Sequence, residues 1–219
     1  LESPAFVARQ CKDFSRSLRY SLAGVERFGG MNWLALSALV LTDSGEPDKA
    51  VSLLNEHRAI AGTTADVLFA RAYAYEAQGE NDLALAGYKD VMALDSAYQQ
   101  AYVHHVMLVN AGGDSTEALD LAEQHPEWFQ PDHWRKLYAD DVAYTLRVAS
   151  EWPENSPERA QLLLQSDTRL QAFETFLQAE FADNKSYRLN AQFDRIFMLQ
   201  LRADHRGLLN HFDSLGSNR

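Results

Sequence analysis

Small and apolar residues recur through the middle of this chain at a constant interval of 34 positions. The most regular column holds glycine, at Gly45, Gly79 and Gly113. An alanine column and further apolar columns consist of Ala50, Ala84 and Ala118; Leu34, Leu68 and Tyr102; Ala38, Ala72 and Val106; Leu41, Tyr75 and Val109; and Leu54, Tyr88 and Ala122. The apolar positions within each interval follow helical spacing, and no segment shows the alternation of period two that predicts a β-strand.

An interval of 34 residues is the length of one tetratricopeptide (TPR) unit, which is a pair of antiparallel helices joined by a short turn. A single pair cannot bury its apolar face alone, whereas stacked pairs share a continuous core. We expect the glycine to end the first helix (helix A) in a left-handed conformation, and the alanine to let the second helix (helix B) cross closely. The sequence therefore predicts an all-α fold, a right-handed α-solenoid with three regular repeats over residues 31–64, 65–98 and 99–132.

The N-terminal segment, residues 1–30, does not follow the repeat pattern closely. Residues 5–28 have apolar positions at helical spacing and are followed by Gly29 and Gly30. The pattern predicts one helix over residues 5–28, so that the segment is an N-terminal helix, a degenerate repeat or a cap.

The C-terminal segment, residues 133–219, is predicted to be irregular helical or degenerate TPR structure. It contains a helix around 134–150 and a long helix opened by Ser156 and Pro157, a serine–proline pair typical of a helix start. Two further helical patterns over 186–202 and 206–215 predict a terminal antiparallel pair.

The charge of the chain is concentrated in its repeats. Residues 31–132 carry sixteen acidic against four basic side chains, a net charge of −12, whereas the whole chain has −11. Such a surface repels phosphate backbones, which excludes nucleic acid and favours cationic partners. The alternative is that the acidic side chains only keep an elongated protein in solution.

Other features bound the class of protein. The longest apolar-rich run, residues 31–41, is about half the length that a membrane span needs, so this piece is not predicted to cross a membrane. The chain begins at Leu1 rather than Met, and we expect it to be a piece of a longer protein. Its single cysteine, Cys11, excludes an internal disulfide.

No catalytic motif stands out. There is no HExxH pair, no phosphate-binding glycine loop and no nucleophile in a recognisable context. His125, Asp132 and His133 have a spacing compatible with a weak metal site, but a polar turn between repeats is the favoured interpretation. We therefore predict a binding protein, not an enzyme, with no cofactor and no metal.

Binding in a TPR stack is expected on the concave surface formed by the A helices. The predicted groove consists of Asn32, Asp43, Asp66, Phe69, Tyr73, Glu76, Gln100, Asn110, Trp134 and Asp141. It combines carboxylates, amides and aromatic rings, and it lacks the cluster of Lys and Arg that would grip a peptide carboxylate. Rings stack on the apolar faces of sugars and carboxylates pair with ammonium groups, so the groove suits an amino sugar. The alternative is that its rings only pack between repeats.

The order of elements resembles a known family. Residues 137–215 combine an irregular helix, a long helix opened by "SPER" and a terminal pair ending in "LLNHFDSL", and residues 72–124 look like early repeats of the same family. Both resemble the periplasmic TPR region of the PgaA/HmsH porins, which export poly-β-1,6-N-acetylglucosamine across the outer membrane in biofilm formation.

The resemblance implies a periplasmic scaffold within a longer outer-membrane protein. It would guide the partly deacetylated, and hence cationic, polysaccharide and meet a periplasmic deacetylase and other components of the same export pathway. The alternatives are a general TPR scaffold that binds a basic peptide, in the cytoplasm or the periplasm, and a TPR subunit of another envelope assembly or secretion system.

Overall fold

The computed structural model describes residues 3–57 and 64–181, which are helical throughout with short connections and contain no β-strand. The helices are α1 (Pro4–Gln10), α2 (Phe14–Phe28), α3 (Met31–Asp43), α4 (Pro47–Glu56), α5 (Ala65–Gln78), α6 (Asn81–Leu94), α7 (Gln99–Ala111), α8 (Ser115–Ala122), α9 (Pro131–Glu151) and α10 (Pro157–Phe181), with a 3₁₀ turn over Pro126–Trp128. None of these helices is long and apolar enough to cross a membrane. The chain divides into two compact units, residues 1–108 (unit 1) and 109–219 (unit 2).

The glycine column ends the A helices as predicted. Gly45, Gly79 and Gly113 follow α3, α5 and α7 with φ of 83°, 80° and 99°, in the left-handed region that glycine adopts without steric cost. In each turn the next residue donates its backbone N–H to a carbonyl of the helix's last turn, for example Glu80 N to Tyr75 O at 3.0 Å. The recurring glycine thus fixes the turn between helices A and B.

Unit 1 is built from the pairs α1/α2, α3/α4 and α5/α6, whose apolar faces form its core. One cluster joins α3, α4 and α5 through Leu34, Ala38, Leu54 and Val67. A second cluster joins α5, α6 and the following helix around Tyr88, which is fully buried. The alanine column has the predicted role, because Ala50 and Ala84 are also fully buried.

The N-terminal segment differs from the single helix predicted over residues 5–28. Helix α1 ends at Gln10 and α2 begins at Phe14. Lys12 between them has φ of 58°, a left-handed conformation that interrupts an α-helix. The Asp13 carboxylate accepts a hydrogen bond from the Arg16 N–H at 3.1 Å and so caps α2. The sequence did contain this cap, but the apolar periodicity runs through it.

Unit 2 contains the two long helices predicted in the C-terminal segment. Helix α9 covers Pro131–Glu151, three residues longer at its start than the predicted 134–150, and α10 begins at Pro157 as predicted. The Ser156 hydroxyl accepts a hydrogen bond from the Arg159 N–H at 3.1 Å, which caps α10. The two helices pack through Val142, Leu146 and Phe173. The predicted terminal pair over 186–202 and 206–215 lies outside the described residues.

Candidate partner-binding site

Phe69 on α5 is the centre of a cluster of aromatic rings in unit 1. Its ring is stacked on that of Tyr73, one turn later, at a centroid distance of 6.1 Å. The rings of Tyr88, Tyr98 and His104 surround it at 5.8, 5.2 and 5.6 Å. Phe69 is 5% exposed and forms the buried part of the cluster. Tyr73, Tyr98 and His104 are partly exposed to solvent.

Three carboxylates lie around these rings, and each is held by a hydrogen bond from an aromatic side chain. The first, Glu76, accepts the hydroxyl of Tyr88, and the Nδ1 atom of His104 lies 2.8 Å from its Oε2. Burial raises the pKa of Glu76, but the hydrogen bonds with His104 and Tyr88 outweigh it and the net pKa is lowered. Burial and the Glu76 carboxylate raise the pKa of Tyr88 strongly, so its hydroxyl keeps its proton.

The second carboxylate, Asp43 at the end of α3, bridges two other helices. Its Oδ2 lies 2.6 Å from the Nε of Arg9 on α1, and its Oδ1 accepts the hydroxyl of Tyr73 on α5 at 3.1 Å. The side chains of Arg9 and Asp43 are 26% and 19% exposed. Burial and then the charge of Asp43 raise the pKa of Tyr73.

The third carboxylate, Asp66 in the first turn of α5, is exposed and accepts the hydroxyl of Tyr98 at 3.0 Å. Burial and the charge of Asp66 raise the pKa of Tyr98. Eight residues of unit 1 are therefore linked by ring contacts and hydrogen bonds, and we call them the aromatic–acidic face: Asp43, Asp66, Phe69, Tyr73, Glu76, Tyr88, Tyr98 and His104.

The structure thus brings together five of the predicted groove residues, namely Asp43, Asp66, Phe69, Tyr73 and Glu76. Asn32 and Gln100 are exposed in the first turns of α3 and α7 and take no part in these contacts. That these residues bind a ligand stays a prediction.

The other three predicted residues, Asn110, Trp134 and Asp141, lie in unit 2 and are themselves buried. The Asn110 amide donates to the Asp140 carboxylate at 2.5 Å, and the Trp134 ring packs against those of Phe129 and Tyr138. Asp141 is fully buried. Trp134 therefore packs against neighbouring rings, Asp141 pairs with Arg169, and the Asn110 amide is already hydrogen-bonded to Asp140, so we leave all three out of the candidate site.

Asp141 belongs to an ion-pair network that ties together three helices of unit 2. Thr116 on α8 donates its hydroxyl to Asp141 at 2.7 Å, and the Nε of Arg169 on α10 lies 3.7 Å from the Asp141 Oδ2. Arg169 also pairs with Asp120 at 2.7 Å and Glu123 at 2.8 Å. Burial raises the pKa of Asp141, although Thr116 and Arg169 act in the opposite direction.

Four contributors to the aromatic–acidic face and its surroundings were not predicted, namely Arg9, Tyr88, Tyr98 and His104. A signal for Arg9 existed, because it precedes Asp43 by 34 residues, one repeat length. Residues about one repeat apart lie side by side on neighbouring A helices, as Tyr73 and Asp43 do at a separation of 30. Among the described residues, no group of three His, Cys, Asp or Glu side chains is placed to hold a metal ion.

Comparison with known proteins identifies the fold. Neither a protein-family model nor a curated protein sequence matches the chain. Among solved structures, MamA matches 80% of this chain and 99% of its own with 15% identity and a TM-score of 0.53. The Naa15/Naa10 complex bound to HypK-THB matches 98% of this chain and 36% of its own with 16% identity and a TM-score of 0.50.

A third structure, YrrB, is described as a TPR protein with an unusual peptide-binding site. It matches 80% of this chain and 88% of its own with 15% identity and a TM-score of 0.48. At such identities the likeness concerns the fold alone. The helix pairs, the glycine turns at an interval of 34 and the similarity to MamA together show that the chain has the all-α solenoid fold of TPR proteins.

Proposed function

We propose that the chain is a non-catalytic TPR scaffold that binds a cationic partner on the aromatic–acidic face. The observation that carries the proposal is the placement of three carboxylates, Asp43, Asp66 and Glu76, around rings that are partly open to solvent. Hydrogen bonds from tyrosine and histidine hold these carboxylates in position before any partner arrives. A preorganised acidic surface with aromatic rings offers a cation both charge and ring contacts.

The partner we favour is a partly deacetylated poly-N-acetylglucosamine. Its free amino groups are cationic and its sugar rings have apolar faces that stack on tyrosine. The excess negative charge of residues 31–132 supports a polycation, and the resemblance to export porins supports this polymer. In this proposal the chain is the periplasmic part of an outer-membrane export protein, guides the polymer and meets a deacetylase of the same pathway.

The second candidate function is a scaffold for a basic peptide, in the periplasm or the cytoplasm. One observation favours it, because the guanidinium of Arg9 already lies 2.6 Å from Asp43 at the edge of the face. An arginine side chain is therefore a cation that this surface accommodates.

Titration with glucosamine oligomers tests the proposal. Partly deacetylated β-1,6-linked oligomers are added to the labelled protein and followed by NMR at two salt concentrations, with fully acetylated oligomers as the control ligand. We expect weak, saturable binding of the deacetylated oligomers with shifts at Tyr73, Tyr98 and His104, and weaker binding at high salt because salt screens charge pairs.

Substitution of the exposed Asp66 by Asn is expected to weaken binding roughly two- to fivefold, since an exposed charge pair contributes up to about 1 kcal/mol. Asp90→Asn is the matched control, because Asp90 is exposed on α6 two positions from Tyr88 and therefore points away from it. Binding of a basic peptide without binding of any oligomer would select the second candidate. Binding of neither ligand would overturn the proposal.

A further inference from the structure

The Asp43 carboxylate is a largely buried anion that has one charged partner, Arg9, in its described contacts. Its side chain is 19% exposed, and its Oδ1 is fixed by the Tyr73 hydroxyl at 3.1 Å. The remaining oxygen, Oδ2, faces the Arg9 Nε at 2.6 Å. Removing the cation would leave a mostly buried carboxylate with a single neutral donor, the Tyr73 hydroxyl, which is unfavourable. We therefore expect Asp43, with Tyr73 bound to its other oxygen, to need a cation beside its Oδ2 atom.

Helix α1 is held in place by buried contacts, but the side chain of Arg9 is partly exposed on its surface. Ala5 and Ala8 on the inner side of α1 are buried at 0% and 7% exposure, and the buried Ser17 hydroxyl donates to the Ala5 carbonyl at 2.7 Å. These contacts attach α1 to α2. Arg9 remains 26% exposed, so its guanidinium can leave Asp43 by side-chain rotation alone while α1 stays in place.

The Arg9 guanidinium belongs electrostatically to the aromatic–acidic face. It contacts Asp43 at 2.6 Å, and the same carboxylate accepts the Tyr73 hydroxyl at 3.1 Å. The positive charge of Arg9 also partly offsets the rise in the pKa of both Tyr73 and Tyr98. The cation therefore sits where a cationic ligand on this face would place one of its charges.

We propose that Asp43 and Tyr73 form a guanidinium subsite that Arg9 occupies in the free protein and that accepts an arginine side chain of a protein partner. Arg9 then acts as an internal competitor, which the partner's arginine must displace. The subsite rests on the proposed binding of cations at the aromatic–acidic face, and it specifies the ligand of the second candidate function. Guanidinium is the favoured cation because the site already holds one, and its planar N–H donors suit a carboxylate oxygen better than a hydrated ammonium does.

The first experiment asks whether a free guanidinium replaces Arg9. Arg9→Met removes the charge and keeps an apolar stem, and we expect its Tm to fall by roughly 2–6 °C. Methylguanidinium at about 50 mM is expected to recover most of this loss in Arg9→Met by binding the vacant subsite. It should have no such effect on Arg9→Met/Asp43→Asn, which lacks the anion. Arg16→Met is the matched control, because Arg16 on α2 forms an exposed pair with Asp13, the residue that caps this helix.

The second experiment compares an arginine peptide with its lysine counterpart. We expect Arg9→Met to bind the arginine peptide at least fivefold more tightly than the wild type, and Asp43→Asn to abolish the gain. Equal rescue by methylammonium, or equal gains for both peptides, would overturn the guanidinium assignment. If Arg9→Met had a lower Tm, but methylguanidinium did not restore it and the arginine peptide bound no more tightly, the Arg9–Asp43 pair would only stabilise the fold. That result would overturn the subsite. If Arg9→Met does not fold, Arg9→Lys provides the same comparison, since lysine is the weaker competitor.

These outcomes are separate from those of the oligomer titration. The methylguanidinium experiment tests the subsite alone, and its result does not depend on which partner binds the face. Failure of the rescue leaves oligomer binding at Asp66 and Tyr98 possible, and failure of oligomer binding leaves the subsite intact.

Discussion

Glu76 is a partly buried carboxylate whose charge the fold stabilises. The Tyr88 hydroxyl and the His104 ring contact the same oxygen, and its pKa is lowered from the ordinary 4.5 even though burial acts in the other direction. A carboxyl with a lowered pKa stabilises the fold above its unfolded pKa, and this contribution is lost as the pH falls through the folded pKa. Glu76 therefore links the stability of unit 1 to its ionised state.

Glu76→Gln is expected to lower the free energy of unfolding at pH 7 by about 1–3 kcal/mol, because two hydrogen bonds to a charged group become neutral ones. The difference from the wild type should shrink as the pH falls from 4.5, the ordinary pKa of the unfolded carboxyl, through the lowered pKa of the folded one, where the folded carboxyl becomes protonated as well. Urea unfolding at pH 7 and pH 3 measures both effects. Glu80→Gln, at an exposed position four residues later, serves as the control, and a difference that persisted unchanged at pH 3 would contradict this account.

Residue types were predictable where the repeat fixes a position, but their contacts were not. Asp43 and Glu76 were predicted as groove residues because each falls on a helix A. Their partners Arg9 and His104 lie 34 and 28 residues away. These contacts depend on side-chain length and rotamer across two helices, which the repeat interval fixes only approximately.

Helices α5 and α6 approach each other closely at Gly87. A Cβ atom there would lie 2.8 Å from the Cβ of Ala72, a residue of one of the repeating columns. Gly87 itself occurs in one repeat only, so no column of the repeat indicates it. The two helices therefore cross at Ala72, which belongs to a repeating column, and at Gly87, which does not.

Gly87→Ala is expected to destabilise the protein by about 1–2 kcal/mol. Alanine favours the helix by about 1 kcal/mol, but the added methyl group forces a rigid crossing apart at a larger cost. Chemical denaturation measures the change, with Ala86→Ser as the control at an exposed position of the same helix and an expected change within about 0.5 kcal/mol. A Gly87→Ala protein more stable than the wild type would show that the two helices separate without cost.

Element boundaries were predictable where a residue has a strong local role. Gly45 and Gly79 end their helices, and Ser156 with Pro157 begins one, because backbone conformation and capping decide these points locally. The break at Lys12 was missed because apolar spacing continues across it, and periodicity alone cannot register a single left-handed residue.

At the scale of the whole molecule, the repeat interval predicted the fold class because one packing solution recurs along the chain. The repeat interval could not predict which charged side chains are exposed and which are buried. Asp141 illustrates this, since an acidic residue at a helical position reads as surface but is fully buried beside Thr116 and Arg169. The two units therefore contain carboxyls of opposite character, the partly buried Glu76 with a lowered pKa and the fully buried Asp141 with a raised one.

This difference predicts opposite responses to acid in the two units. A carboxyl whose folded pKa is raised above the unfolded 3.8 binds its proton more tightly in the fold, so its contribution to stability falls as the pH rises through that window. Lowering the pH should therefore remove the stabilising contribution of Glu76 in unit 1 and relieve the cost of the buried Asp141 charge in unit 2. Hydrogen exchange followed by mass spectrometry from pH 3 to pH 6, corrected for intrinsic exchange rates, separates peptides of α3–α6 from those of α9–α10.

Asp141→Asn should flatten the pH response of α9 and α10 and leave that of α3–α6 unchanged, whereas Glu76→Gln should do the reverse. Glu158→Gln, at an exposed position in the first turn of α10, is the control that removes a carboxylate without removing a buried charge. If Asp141→Asn kept the wild-type pH response, the buried charge would be compensated fully by Arg169. In that case Arg169→Met rather than Asp141→Asn would change the profile, because it removes the cation that faces Asp141.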